Sequence, residues 1–419
     1  MHAPACSRSS RLVFREAKES SGGIRTPGNG VRQWQPRWGD RSWYVECTLR
    51  QFAMASAPFF PAGLDASDQP TLISGSQASS LVKEIESAAS AFAHRLVGRF
   101  GSLLDDPQRA PQVSAVLDDE LQCAGFLPSM AEVSSDPTLS WEMLVTALLR
   151  GMARVDGGVA AHLLARISAS LPWAEAASRG SFVDGWSASW LAAPTRCPAP
   201  LQGEFWAWGW REGLPITVGF VEGDTCRWLL LRPEAVESAQ PHARMGLRAC
   251  SSAWVRVRFN PEEVARSTTT KMSEACHWAA WVAAWWGVIA VARGHAALEL
   301  AAQHAGLRYQ GGCELAKHAV VRALFGAALH DLLAAESLLD RGFAGNQMAI
   351  RAVAACAARA GERAAHSAQQ VFGGYGYMRD YSVERCLRDA KVAAVAAGRP
   401  GWTEVRSATE SDLLAEFVA

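Results

Sequence analysis

The residues best suited to chemistry crowd near the C-terminus, in QVFGGYGYMRDYSVERCLRDAKVAAVAAGRP (370–400). Gly373, Gly374 and Gly376 form a glycine-rich turn between two helical segments. Such a turn lets backbone approach a ligand closely and opens a helix N-terminus toward an anion. The spacing is not the GxGxxG fingerprint that follows a strand, so a tight interhelical turn without a ligand is the other reading. Downstream, Glu384, Arg385, Arg388 and Asp389 are spaced as ion pairs that would lock this turn rather than react.

Cysteine points to no metal site. The ten cysteines, at 6, 47, 123, 197, 226, 250, 276, 313, 356 and 386, are scattered without a CxxC pair. They read as reduced thiols, with no disulfide framework and no zinc, which suits the cytoplasm. Cys276-His277 reads as a core pair.

Helices and a small sheet must position these residues. The segments SSLVKEIESAASAFAHRLVGRFGSLL, PQVSAVLDDELQCAGF and LSWEMLVTALLRGMARVDGGVAAHLLARISASL carry apolar residues at helical spacing, the last interrupted at Asp156-Gly157-Gly158. They predict an N-terminal helical domain over 78–180. Short aromatic and β-branched runs then predict a small antiparallel β domain over 181–260, including GEFWAWGWREG, PITVGFVEG, TCRWLLLRP and SSAWVRVRFN. Trp206, Trp208 and Trp210 would share one packed face of a strand; a base-stacking stripe is the other reading, but no basic groove lies beside it. Helical sequence returns at 270–306, 313–340, 345–373 and 381–397, a C-terminal four-helix bundle over 261–400 followed by a tail at 401–419. The fold class is therefore α+β, mainly α.

The run CHWAAWVAAWWGVIAVA (276–292) is slightly short for a membrane span and continues into polar helical sequence, so it reads as a buried helix and not as a transmembrane segment. Lys plus Arg and Asp plus Glu number 41 each, so no global charge favours nucleic acid or an anionic membrane. Residues 1–53 hold eight Arg and one Lys against four acidic residues, with no sustained period. They read as a disordered or non-native leader, with Met54 as a sensible start.

The order of these domains, with RYQGG (308–312), QVFGGYGY (370–377) and YSVERCLRDAKV (381–392), resembles the acyl-CoA dehydrogenase family. MGLRACSSAWVRVRFN (245–260) is similar to the family's last β-domain strands, and the resemblance covers roughly 80–400. It implies a flavin, FAD, shared across a subunit interface. The ring would lie against the β domain of one protomer and the ADP half against the bundle of the other. Carried over by motif, Arg308 would meet the pyrophosphate, and Gln370, Gly373 and Gly374 would line the ADP. Gln310 joins this set, although it and Gly311 stand where the family has a Thr-Phe-Gly type sequence.

The same resemblance exposes what is missing. The family removes an α-proton from an acyl thioester with a carboxylate while the β-hydrogen leaves as hydride. Ala397 occupies one position where that Glu is expected, and Val282 the other. Glu274 lies about two turns from Val282, and Glu404, past Pro400, is the one displaced candidate. The β-domain flavin signatures are also eroded. WSASWLAAPTRCPAP stands where Thr-Glu-Pro and Gly-Ser-Asp are expected, and WAWGW (206–210) replaces a Trp-Ile-Thr type strand.

The resemblance thus implies an α,β-dehydrogenation of an acyl-CoA thioester in which this chain supplies no catalytic residue. It would complete the FAD site of a related subunit, as an α2β2 heterotetramer of the kind known for steroid side chains, with a homo-oligomer as the alternative assembly. A self-sufficient flavin dehydrogenase or monooxygenase of the same fold is the second reading, and a non-enzymatic scaffold paralogue the third.

Overall fold

Apolar residues at i, i+3 and i+4 decide which helix faces turn inward, and the helices they form carry most of the core. The computed structural model describes residues 75–126, 140–173, 187–188, 195–196, 202–222, 224–258, 264–342 and 347–398. The expected leader at 1–53, the tail at 401–419 and Glu404 lie outside these residues.

Four helices come first: α1 (Gly75–Phe100), α2 (Ala110–Cys123), α3 (Trp141–Val155) and α4 (Gly157–Ser170). Helix α1 buries Ala89, Phe92, Ala93 and Leu96, one face of a 3.6-residue period. Ser140 starts α3 by accepting the Met143 N–H at 3.3 Å. Asp156 ends α3 and caps α4, its Oδ1 accepting the N–H groups of Gly158 (2.9 Å) and Val159 (3.1 Å).

Eight strands follow: β1 (Ser187–Ala188), β2 (Thr195–Arg196), β3 (Gln202–Trp208), β4 (Ile216–Glu222), β5 (Thr225–Leu231), β6 (Val236–Pro241), β7 (Ser252–Arg258) and β8 (Val264–Lys271). They form two sheets. One orders β1-β4-β5-β8 with β2 also on β4, and the other orders β3-β7-β6. The first sheet is mixed rather than antiparallel, because β1 and β2 both run parallel to β4. Two-residue strands carry no alternation that would reveal their direction. Strand β8 extends the β region to Lys271, beyond the expected boundary at 260. The half-buried face of β8 carries Val264, Arg266, Thr268 and Thr270, so its sequence lacks an apolar stripe.

The tryptophans do not share one face. Trp206 and Trp208 pack toward the main core, whereas Trp210 joins the apolar cluster of the sheets with Ile216, Val218 and Val255. Gly209, at φ +66°, turns the chain between them.

The bundle consists of α5 (Met272–Leu307), α6 (Ala319–Gly342), α7 (Gln347–Phe372) and α8 (Val383–Gly398). By length and composition α5 could cross a membrane, but 94% of its most apolar window is buried inside the molecule. Trp285 and Trp286 on it are fully buried. Helix α7 crosses α5 at Gly361, where a Cβ would overlap the carbonyl of Ala290.

Helix α8 ties these parts together. Arg388 on α8 meets Glu384 (2.6 Å), Asp105 (2.7 Å) and the carbonyl of Met245 (2.6 Å). Arg385 pairs with Asp156. Asp389 accepts the Leu247 N–H at 2.6 Å and faces Arg293 of α5 at 3.4 Å. Arg293 also donates to the carbonyls of Ala153 (3.0 Å) and Val155 (3.1 Å) at the end of α3. These charges hold the 245–248 turn and the α3–α4 junction. They do not lock the 373–377 turn as the sequence suggested, because their side chains point from α8 toward the N-terminal helices.

Two predictions follow from this packing. A Cβ at Gly246 would collide with the backbone of Arg388, so Gly246→Ala should destabilise the fold by about 3 kcal/mol, read as a lowered midpoint in urea. The second concerns His162, which is buried on α4 with Nε2 2.9 Å from Asp118 Oδ1. Burial opposes its charge, but the hydrogen bond and charge of Asp118 outweigh it and lift the imidazole from 6.5 to about 9. A raised folded pKa contributes stability that is complete below about 6.5 and lost as pH rises through about 9. The melting temperature should fall across that window, by at most the equivalent of about 3 kcal/mol. His162→Gln should flatten the slope.

Candidate functional site

Helix α5 ends at Leu307, and the chain leaves it through Arg308. The Arg308 N–H donates to His304 O (2.9 Å), and its carbonyl accepts from Leu315 N (2.8 Å). Between these bonds the chain folds into a hairpin of β9 (Tyr309–Gln310) and β10 (Cys313–Glu314). Gly311 and Gly312 form its two-residue loop at φ +62° and +86°. A loop with two positive φ angles selects glycine, which explains why Gly311 stands where a bulky residue was expected.

The glycine-rich turn is a 3-10 segment, Gly373–Tyr377, between α7 and α8. Gly373 sits at φ +59°, and a Cβ on Gly373 or Gly374 would meet no atom within 4 Å. Both glycines are exposed, as are Gln370, Arg308 and Gln310.

The structure brings Arg308 and this turn together. The Arg308 guanidinium carbon lies 5.5 Å from the centre of the Tyr375 ring. Beneath them His304 stacks on Phe372 at 4.3 Å and 17°. Tyr375 packs against Tyr381 at 5.4 Å. Burial, and then the charge of Arg308, push the His304 imidazole below its usual value, so it packs as a neutral ring. No described carboxylate reaches Arg308 within ion-pair distance. The result is an open backbone turn with an available cation beside it, and the guanidinium is what suits an anionic ligand. The turn follows the C-terminal end of α7 and α8 begins only at Val383, so it does not open a helix N-terminus as the sequence suggested. Gln370 and Gln310 flank it but make no side-chain bond across it. His304 and Tyr375 are additions that sequence reading did not single out. The four-residue spacing from His304 to Arg308 was the available signal.

The two expected base positions are apolar and closed. Val282 is fully buried in α5, and Ala397 is 5% exposed in the last turn of α8. Among the described residues the buried carboxylates are Asp156 and Asp389, and both are engaged by the pairs described above. Burial drives the Asp389 carboxyl upward against the pull of Arg293 and Arg385.

The end of β3 is closed as well. Trp208 is 7% exposed. Trp286 lies 4.6 Å from its ring centre, and the Arg244 guanidinium 4.2 Å. Burial brings Arg244 down to about 10. Of the stretch 186–200, where other β signatures were expected, only 187–188 and 195–196 are described.

Comparison with known proteins agrees with this architecture. A sequence model of the acyl-CoA dehydrogenase C-terminal domain matches residues 281–404. An acyl-CoA dehydrogenase of Bacillus subtilis (strain 168) is 40% identical over 121 residues, 27% of this chain and 32% of the relative. A cyclohexane-1-carbonyl-CoA dehydrogenase of Geobacter metallireducens is 66% identical over 29 residues, 7% of this chain and 8% of the relative. The chain thus matches about a third or less of the length of these relatives.

Among solved structures, butyryl-CoA dehydrogenase from Megasphaera elsdenii superposes with a TM-score of 0.62 at 16% identity, covering 84% of this chain and 100% of that one. The acyl-CoA dehydrogenase of Bacillus anthracis complexed with FAD gives 0.64 at 15% identity, over 84% and 69%. At such identity the likeness is one of fold. Residues 281–404 thus match the acyl-CoA dehydrogenase C-terminal domain, and the superpositions give this chain the fold of acyl-CoA dehydrogenases.

Proposed function

We propose that this chain is a non-catalytic subunit of an acyl-CoA dehydrogenase, completing the FAD site of a related chain that carries the base. One observation carries the reading: the bundle end is open, with Arg308, Gly373 and Gly374 exposed, while Trp208 at the β3 end is buried. The described residues at the bundle end fit the ADP half of the flavin, while those packed around Trp208 leave no open face for its ring. When bound, FAD would supply the hydride acceptor that an acyl-CoA dehydrogenation needs.

Each residue of this chain then has a limited task. Arg308 offers a planar fork of N–H donors to pyrophosphate oxygens. Gly373 and Gly374 let the backbone approach the nucleotide, with Gln370 and Gln310 at the rim. Val282 and Ala397 have no group that could take the α-proton. The partner must supply that carboxylate, whose loss costs about two to four orders of magnitude in rate.

The surface at this end supports assembly. Leu307, Tyr309 and Tyr377, on the two segments joined by the Arg308–Tyr375 contact, are 85%, 68% and 76% exposed, large side chains of the kind that protein interfaces cover. An α2β2 arrangement matches one ADP half from this chain to one ring pocket from its partner. A steroid side chain as the acyl group rests on analogy alone.

Expressed alone, the chain should retain far less than one FAD per chain and show no acyl-CoA dehydrogenation. Co-expressed with a related chain bearing the glutamate, it should yield an active complex, and Arg308→Met should lower that complex's FAD content. Full flavin retention and turnover by the lone chain would contradict the proposal and favour a self-sufficient enzyme.

A further inference from the structure

An arginine that waits in solvent must be ordered before it binds, and a long side chain loses rotamer freedom in doing so. Arg308 is exposed and without a carboxylate partner among the described residues, yet its surroundings are fixed. Its backbone is bonded on both sides, to His304 and to Leu315. Its guanidinium lies over the Tyr375 ring, 5.5 Å from the ring centre and within cation–π reach.

Tyr375 is held in turn. Its ring packs edge-on to His304 at 6.3 Å and tilted against Tyr381 at 5.4 Å. Its carbonyl accepts the Met378 N–H at 3.1 Å. The side-chain amide of Gln369 donates to the carbonyl of the neighbouring Gly376 at 3.2 Å. A guanidinium drawn to a ring face by its charge makes no hydrogen bond there, so its N–H groups remain available for phosphate oxygens. Gly373 and Gly374 leave open space beside the same ring.

We infer that Tyr375 is a positioning residue whose ring holds the Arg308 guanidinium ready for a nucleotide diphosphate. This rests on the nucleotide site proposed above. The phenol oxygen has no part in it, so the ring alone should suffice.

The test is a calorimetric titration of the full chain with ADP at low salt, carried to millimolar ligand. Tyr375→Leu should weaken binding about two- to fivefold. Tyr375→Phe should match the unmodified chain. In an Arg308→Met background, Tyr375→Leu should change nothing further, a coupling that a merely structural role would not produce. Unchanged affinity in Tyr375→Leu, with binding lost in Arg308→Met, would overturn the inference and leave the nucleotide site standing. So would an equal loss from Tyr375→Leu in both backgrounds. Absence of ADP binding by the unmodified chain would overturn the nucleotide site itself, and the inference with it.

Discussion

Asp389 is 1% exposed, and its neighbourhood holds the described parts of this chain together. One oxygen takes the N–H of Leu247, a residue held at φ +55°, a strained conformation that persists because its surroundings fix it. The other faces Arg293, which reaches on to the end of α3. Arg385 and Arg388, on the same helix, bind Asp156 and Asp105. Helix α8 thus registers the N-terminal helices, the turn before β7 and α5 against one another. Buried charges are costly unless paired and bonded, so removing one partner leaves the rest exposed to that cost. The glycines at 157, 158 and 246 follow from the same constraint, because each stands where backbone or side chain approaches too closely for a Cβ.

This lock separates two ends of the molecule with different fates. At the bundle end the chain keeps an open glycine turn, an arginine and a platform of aromatic rings. At the β3 end, tryptophans and a buried arginine fill the region around Trp208. Val282 and Ala397, the two positions where the resemblance leads one to expect the base, are apolar and inside the core. On the proposed reading, these apolar positions and the buried Trp208 are coherent if the base and the ring pocket reside on another chain.

Much of the fold was legible in the sequence. The long helices announced themselves by apolar spacing, and Arg308 with the glycine turn was identified by motif. Other features were hidden for physical reasons. Strand β8 half-buries Val264, Arg266, Thr268 and Thr270 and exposes the residues between them, so its alternation in burial is not one of apolar and polar types that a sequence displays. The roles of Glu384, Arg385, Arg388 and Asp389 depended on partners far away in the chain, such as Asp105, Asp156 and Leu247. The contact of Tyr375 with Arg308 depends on how α5 and α7 end beside each other, which spacing within either segment does not encode.

The central claim is that this chain holds the adenine side of a flavin whose ring belongs to its partner. Two photoreactive FAD analogues, one with an azide on the adenine and one with an azide on the isoalloxazine, would test it directly in the co-expressed complex. The account predicts that the adenine label is recovered on this chain, in peptides containing Arg308 or Gly373–Tyr377, and the ring label on the partner. Recovery of the ring label on this chain's β3, around Trp208, would contradict it.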